Sequence, residues 1–108
     1  MAGKVRPPRY GTKRDANQAE LVGYLRDCGW ACLDTSAVGP NAIPGFPDVL
    51  CSMQGRLVGV EIKAKGEQLT RAERLFWFAH GDMLPLFILR DVEDVLAMTH
   101  KVRDEEAR

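Results

Sequence analysis

The sequence has no apolar run of about 18 residues, the length that a membrane-spanning helix requires. No apolar stretch of roughly 7–15 residues, as in a secretory signal, follows the basic first residues. The three cysteines are too few, and odd in number, for a disulfide scaffold, and they lack the paired spacing of a zinc site. No Gly-rich loop ending in Lys-Ser or Lys-Thr is present to bind nucleotide phosphates. These absences predict a soluble cytoplasmic domain that makes no membrane contact.

Net charge is also absent, because 15 Lys and Arg balance 15 Asp and Glu over the 108 residues. The balance is uneven along the chain, however. Residues 1–14 contain no acid and predict an extended basic arm that contacts phosphate backbones, although a solvated terminus that only aids solubility fits equally well. The basic residues of this arm are Lys4, Arg6, Arg9, Lys13 and Arg14.

Residues 15–100 predict a single α/β domain with a mixed central sheet and the order helix, three strands, helix, strand, helix. Asp15 is a candidate N-cap for the first helix, whose apolar face includes Ala19, Val22 and Leu25. Thr70 and Glu73 form a capping-box pattern at the start of the second helix. Residues 101–108 are expected to form a charged tail. The predicted strands are 30–33, 48–53, 56–63 and 86–89, the second and third helices 70–80 and 91–99, and the long loop 34–47.

Gln54-Gly55 predicts a two-residue hairpin turn, and this turn fixes which residues face one another. With that register, Asp48 lies opposite Glu61, on the same side of the sheet, with Cβ atoms about 4.5–5.5 Å apart. Lys63 lies two residues beyond Glu61 and so points to the same side. A slip of one residue would reverse the face of the strand, so the cluster depends on the length of the turn.

Two opposed carboxylates repel one another, so a cation is expected between them. Oxygen ligands suit Mg²⁺ or Mn²⁺, and a neighbouring lysine can activate the attacking water and stabilise charge on phosphate oxygens. The alternative is that Glu61 and Lys63 are ordinary strand residues and that Asp48 is a turn residue after Pro47. The alternation of Val58, Val60 and Ile62 with the charged residues fits both interpretations, and the register favours the site.

Three segments together resemble a known nuclease family. They are Gly45-Phe46-Pro47-Asp48-Val49-Leu50, then Val60-Glu61-Ile62-Lys63, then Leu69-Thr70 opening a helix. They resemble the small stand-alone phage and bacterial VRR-NUC domains of the PD-(D/E)XK superfamily, over about residues 15–99. The resemblance implies a restriction-endonuclease-like core. The chain has Ala64-Lys65-Gly66 after the lysine in place of the Val-Arg-Arg that gives the family its name.

The resemblance also implies roles for individual residues. Asp48 and Glu61 would bind Mg²⁺, or Mn²⁺ as a substitute, with the backbone carbonyl of Ile62, and Lys63 would be the catalytic lysine. Glu20 on the first helix is the candidate for a further metal ligand, and an exposed helix glutamate is the equally good alternative. Gln68 and Glu73 are the candidate accessory residues, with the capping box as the alternative role of Glu73. Apart from the resemblance, Lys65, Arg71 and Arg74 follow the site closely in sequence and are candidate DNA contacts, with a solvated helix face as the alternative for each of them. Lys13 and Arg14 of the basic arm are further candidate DNA contacts.

The expected function is therefore a Mg²⁺-dependent DNA endonuclease. The resemblance implies that it acts as a homodimer on branched DNA such as four-way junctions, with the apolar second helix as the candidate contact between copies. The alternative is a catalytically silent module with the same fold that binds nucleic acid or assists assembly. An enzyme for another phosphoester substrate is the third and least favoured hypothesis.

Overall fold

A four-stranded mixed sheet with the spatial order β1-β2-β3-β4 forms the centre of the computed structural model. The structure describes the backbone of residues 12–35 and 43–107 and the side chains of residues 17–35 and 43–105. The elements follow the predicted order: α1 (Thr12–Asp27), β1 (Ala31–Asp34), β2 (Val49–Met53), β3 (Arg56–Ile62), α2 (Arg71–His80), β4 (Leu86–Leu89) and α3 (Val92–Ala107). The predicted α/β class with a mixed sheet is confirmed. None of the described helices has the length and apolar character needed to cross a membrane.

The β2–β3 hairpin has the predicted register. Met53 pairs with Arg56 and Val49 with Val60, around a turn formed by Gln54 and Gly55. Both turn residues have positive φ, 54° at Gln54 and 80° at Gly55. Such turns match the right-handed twist of the flanking strands, which is why two-residue hairpin loops use them. β1 pairs antiparallel with β2, whereas β4 pairs parallel with β3 after the α2 crossover.

The apolar core lies on one face of the sheet, beneath α1 and α3. It contains Val58, Val60 and Ile62 from alternate positions of β3, together with the buried face of each helix. The first helix uses its predicted face only in part: Leu25 is buried and Val22 packs against the core, whereas Ala19 is exposed and Leu21 is buried instead. It also begins at Thr12, so Asp15 lies inside α1 and is not its N-cap.

The opposite face of β3 is covered by α2 and by the loop before β2. Gly59 lies on this face, where a Cβ would come within 2.6 Å of the Leu86 side chain and 2.8 Å of the Pro47 ring. Phe46 packs edge-on against Phe76 of α2, with ring centroids 5.4 Å apart. Both faces of the end of β3 are therefore buried, and the charged residues that alternate with its valines are buried too.

α3 extends further than predicted. It continues to Ala107, so residues 101–107 are helical and not a tail. Val95, Met98 and Val102 are all buried, and this apolar stripe carries the helix past the expected end at Thr99. Near its end, Glu105 accepts a hydrogen bond of 3.0 Å from Arg56 at the hairpin. The basic arm lies outside the described residues over positions 1–11, as does the part of the predicted loop at positions 36–42.

Candidate functional site

The hairpin brings Asp48 and Glu61 together. Asp48 comes directly before β2, and continuing the register one residue beyond the Val49–Val60 pair places it opposite Glu61. Its Oδ2 accepts a hydrogen bond of 2.9 Å from the backbone N–H of Ile62. On the other side, the N–H of Thr35 donates to the carbonyl of Asp48 at 3.1 Å. Asp48 is thus held from both neighbouring strands, and its half-buried side chain turns toward β3.

Glu61 is fully buried, and neither carboxylate oxygen has a hydrogen-bond donor among the described residues. Burial, together with the facing charges of Asp48 and Glu73, raises the pKa of Glu61 to about 9, against a smaller opposing effect of Lys63. A buried carboxylate without donors is costly when it is ionised, because it loses the hydrogen bonds of water. With no added cation, Glu61 therefore holds a proton at neutral pH.

Lys63 is also fully buried, and its closest ionic partner comes from α2. Its Nζ lies 2.7 Å from Glu73 Oε1 and 3.8 Å from Glu67 Oε2. Burial acts to raise the pKa of Glu73, but the contacts with Lys63 and Thr70 hold that pKa below its usual value. The side chain of Lys63 is therefore paired chiefly with Glu73, and its compensating effect on Glu61 is smaller than the effects of burial and of the facing carboxylates.

Glu73 has two roles at once. Its Oε1 accepts the backbone N–H of Thr70 at 2.8 Å, while its own N–H donates to Thr70 Oγ1 at 3.1 Å, which confirms the predicted capping box. The same Oε1 is the oxygen closest to Lys63. The cap at the start of α2 therefore also faces the end of β3, and an accessory role of Glu73 in catalysis stays a prediction.

Glu67 is a member of this cluster that sequence reasoning missed. Besides its approach to Lys63, its Oε1 accepts the N–H of Ala64 at 2.9 Å. Arg90, which follows β4, donates to the carbonyls of Ala64 and Glu67 at 2.7 and 2.8 Å and so fixes the turn after β3. The i, i+4 spacing of Lys63 and Glu67 was the available signal, although that spacing is a contact rule for helices and this segment is not helical.

Glu20 is not brought to the carboxylate pair. It is exposed on α1 and lines a groove with Asn17, Leu21 and residues 90–93. Within the part of the chain that the structure describes, no three His, Cys, Asp or Glu side chains converge to hold a metal ion. The N-terminal half of α1 does approach the site through Asn17, whose Nδ2 donates to the carbonyl of Lys63 at 3.5 Å.

The predicted DNA contacts whose side chains are described lie on the surface and follow Lys63 closely in the sequence. All four side chains are exposed, and they belong to the segment from the end of β3 to the first turns of α2: Lys65, Gln68, Arg71 and Arg74. The guanidinium of Arg74 donates to the carbonyl of Leu69 at 3.0 Å. The side chains of Lys13 and Arg14 lie outside the described residues.

A divalent cation fits the Asp48–Glu61 pair by the chemistry of its donors. The pair offers oxygen ligands only, and the two carboxylate oxygens of Glu61 have no hydrogen-bond partner among the described residues. Mg²⁺ is commonly bound by one or two carboxylates, with water and substrate phosphate completing the octahedron. Comparisons with family models, with curated proteins and with solved structures find no match to this chain. The geometry of the site is therefore the basis for the functional conclusion.

Proposed function

We propose that this chain is a metal-dependent DNA endonuclease with a PD-(D/E)XK-type core of the VRR-NUC kind. The observation that carries the proposal is the buried carboxylate of Glu61, which faces Asp48 and has no donor among the described residues. A pair of this kind is destabilising when both carboxylates are ionised, so the folded chain must hold either a proton or a cation there, and a divalent cation would take the place of the proton on Glu61. The hydrogen bond from Ile62 accounts for the position of Asp48, but no structural contact accounts for a fully buried glutamate facing it.

Asp48 and Glu61 would hold Mg²⁺ or Mn²⁺, with the backbone carbonyl of Ile62 as a further oxygen ligand. When bound, the ion would supply a water of lowered pKa and would polarise the phosphoryl oxygens. Lys63 would stabilise the negative charge that develops on those oxygens. Glu73 and Glu67 position Lys63, because both reach its ammonium from the helix and the turn that follow β3.

Three surface cations beside the cluster support DNA as the substrate. Lys65 follows Lys63 by two residues, Arg71 and Arg74 lie in the first turns of α2, and all three side chains are exposed. They would contact the phosphate backbone next to the segment that carries Lys63. Lys13 and Arg14 of the basic segment are further candidates for such contacts. Phosphate contacts of this type fix the position of a duplex without reading its sequence, which suits selection by DNA shape, as in a four-way junction.

An apolar surface on α2 and the turn after it supports a homodimer. Leu75, Phe78 and Met83 are 56%, 92% and 88% exposed, although all three are large apolar residues. A second copy of this chain would cover them and would provide a second cutting site for a branched substrate. Replacing Phe78 with Glu should then shift the mass measured by light scattering from two chains to one.

The test is cleavage of fluorescently labelled four-way-junction and linear duplex DNA, with Mg²⁺ and with a chelator. We expect Mg²⁺-dependent cutting that is stronger on the junction, and a loss of about 10²–10⁴-fold in rate for Lys63→Met. Lys101→Met is the matched control, because Lys101 is 62% exposed and pairs with Glu105, one turn away on α3. Equal rates for the two variants, or no cutting of either DNA by the wild-type chain, would refute the proposal.

One observation favours a second candidate, a catalytically silent module that binds nucleic acid. Glu61 and Lys63 are both fully buried, and Lys63 is already neutralised by Glu73. A silent module predicts DNA binding that weakens steeply with salt and needs no divalent ion. Binding with that salt dependence, together with intact DNA after prolonged incubation with Mg²⁺ or Mn²⁺, would select this candidate.

A further inference from the structure

Two thiols lie directly opposite one another on neighbouring strands. Cys32 of β1 pairs with Cys51 of β2, and their Sγ atoms are 3.8 Å apart. The N–H of Thr35 donates to the carbonyl of Asp48, so the Thr35–Asp48 pair is a hydrogen-bonded pair. Pairs alternate along an antiparallel ladder, which makes Cys32 and Cys51 a non-hydrogen-bonded pair. Side chains approach each other most closely at such a position.

The backbone at this position already suits a disulfide. A non-hydrogen-bonded pair has a Cα separation of about 4.5 Å, and disulfides span roughly 4.4–6.8 Å between Cα atoms. The two sulfur atoms need to approach from 3.8 Å to about 2.0 Å, a change that side-chain rotation can supply. Cys28, the third cysteine, lies just beyond the end of α1 and provides a comparison within the same chain.

The two thiols differ in access and in acidity. Cys51 is fully buried in the core, whereas Cys32 is half-buried at the margin of the edge strand. The contact with Cys51 lowers the pKa of Cys32 against the opposing effect of burial, and the nearby charge of Arg26 makes a smaller contribution in the same direction as Cys51. The contact with Cys32, together with burial, raises the pKa of Cys51. Cys32 is therefore the thiol that an oxidant meets first and the one that ionises more easily.

We propose that Cys32 and Cys51 form a peroxide-responsive pair that closes to a reversible disulfide between β1 and β2. The thiolate of Cys32 attacks one oxygen of hydrogen peroxide and breaks the O–O bond, giving a sulfenic acid and hydroxide. The thiol of Cys51 then attacks the sulfur of that sulfenic acid, forming the S–S bond and releasing the hydroxyl group as water. Two thiols and one peroxide thus give one disulfide and two waters.

The disulfide would tie the edge strand to the strand that follows Asp48. It would close the segment 33–50, which ends two residues after Asp48, and would add a covalent link to a ladder of backbone hydrogen bonds. The proposal stands on the two strands and their thiols, and it is independent of any nuclease activity. The disulfide is expected to be reducible, because both thiols belong to a strand pair whose register is already formed without it.

The test is graded peroxide treatment of the full chain, followed by alkylation under denaturing conditions and mass spectrometry. Digestion after Lys and Arg and before Asp separates fragment 27–33, with Cys28 and Cys32, from fragment 48–56, with Cys51. We expect these fragments to be joined, with the loss of two hydrogen atoms, and the three alkylated thiols to fall to one. Dithiothreitol should restore all three.

Single substitutions assign the bond. Cys28→Ser should leave the joined fragments unchanged, whereas Cys32→Ser should abolish them and leave Cys51 fully alkylated. Loss of the joined fragments in Cys28→Ser would overturn the proposal. It would equally be overturned if Cys32 in the wild-type chain accumulated sulfinic acid beside a free Cys51, or if no thiol reacted at a peroxide dose that oxidises free cysteine.

Discussion

The metal-free protein is expected to lose stability as the pH rises, and replacing Glu61 with Gln should remove this pH dependence. In the folded chain the pKa of Glu61 is raised from 4.5 to about 9, chiefly by burial and by the facing charge of Asp48. Between those two values the unfolded chain ionises Glu61 while the folded chain keeps it protonated. The folded state therefore binds more protons, and the free energy of unfolding falls as the pH rises.

The slope follows from one proton. A difference of one bound proton changes the free energy of unfolding by about 1.4 kcal/mol per pH unit, so stability should fall by about 3 kcal/mol between about pH 5.5 and 8. Glu73 does not cancel this slope, because its pKa is lowered. The stabilisation that ionised Glu73 gives to the folded state is fully present above its unfolded pKa, and it is lost only as the pH falls below that value toward its lowered folded pKa. In Glu61→Gln the amide replaces the neutral acid, so the stabilities of the two proteins should agree only below the unfolded pKa of 4.5, where both states keep Glu61 protonated, and should diverge steadily toward pH 8.

The assay is urea unfolding at several pH values in a chelator and a thiol reductant, for the wild type, Glu61→Gln and Glu105→Gln. Glu105 lies near the end of α3, away from the carboxylate pair, and is the control for losing one carboxylate. Added Mg²⁺ should flatten the slope of the wild type and leave that of Glu61→Gln unchanged, because a bound cation replaces the proton. Identical slopes for the wild type and Glu61→Gln, or a wild-type stability that rises over this window, would contradict a protonated Glu61 in the folded chain.

The other predictions concern the packing around the site. Gly45→Ala should destabilise the fold by more than about 2 kcal/mol in urea unfolding, because its Cβ would lie 2.2 Å from a backbone carbonyl of α2 and its φ is 79°. Gly66→Ala, with a similar φ of 83° but open space around it, should cost only about 1 kcal/mol. A double-mutant cycle of Glu73→Gln and Lys63→Met should give a coupling energy of about 1–3 kcal/mol, and additive effects would count against their ion pair. Arg90→Met should speed amide exchange in the turn after β3 without changing exchange in α3, since it removes both hydrogen bonds to that turn.

The fold was predictable wherever the sequence carries a local signal. Gln54-Gly55 determined the hairpin length, and the register that follows from it is confirmed. Thr70 and Glu73 marked the start of α2, and the capping box is confirmed as well. In both cases the signal lies in a few consecutive residues whose backbone or side chains contact one another, so no knowledge of the tertiary structure was needed.

Tertiary packing decided what the sequence did not reveal. The length of α3 depends on Val102, whose burial is visible only once α1 and the sheet are in place. The same is true of the face of α1, where Leu25 is buried as predicted but Leu21 is buried in place of Ala19.

In the candidate site, the facing pair of carboxylates was predictable from the sequence, whereas the contacts of the neighbouring side chains were not. The opposition of Asp48 and Glu61 followed from strand register, which is a local property. The contact of Lys63 with Glu73 joins residues ten positions apart, through a turn whose path is set by Arg90. Sequence periodicity cannot give that path, and it therefore could not show that the lysine would be neutralised.

Soaking crystals of the protein in Mn²⁺ would examine the proposed metal site without reference to activity, because the anomalous signal of manganese locates the ion. We expect a peak between the carboxylates of Asp48 and Glu61, and its absence in crystals of Glu61→Gln grown and soaked in the same way. A wild-type crystal with no peak at this pair, at a concentration that fills other carboxylate sites on the surface, would contradict the proposed metal site.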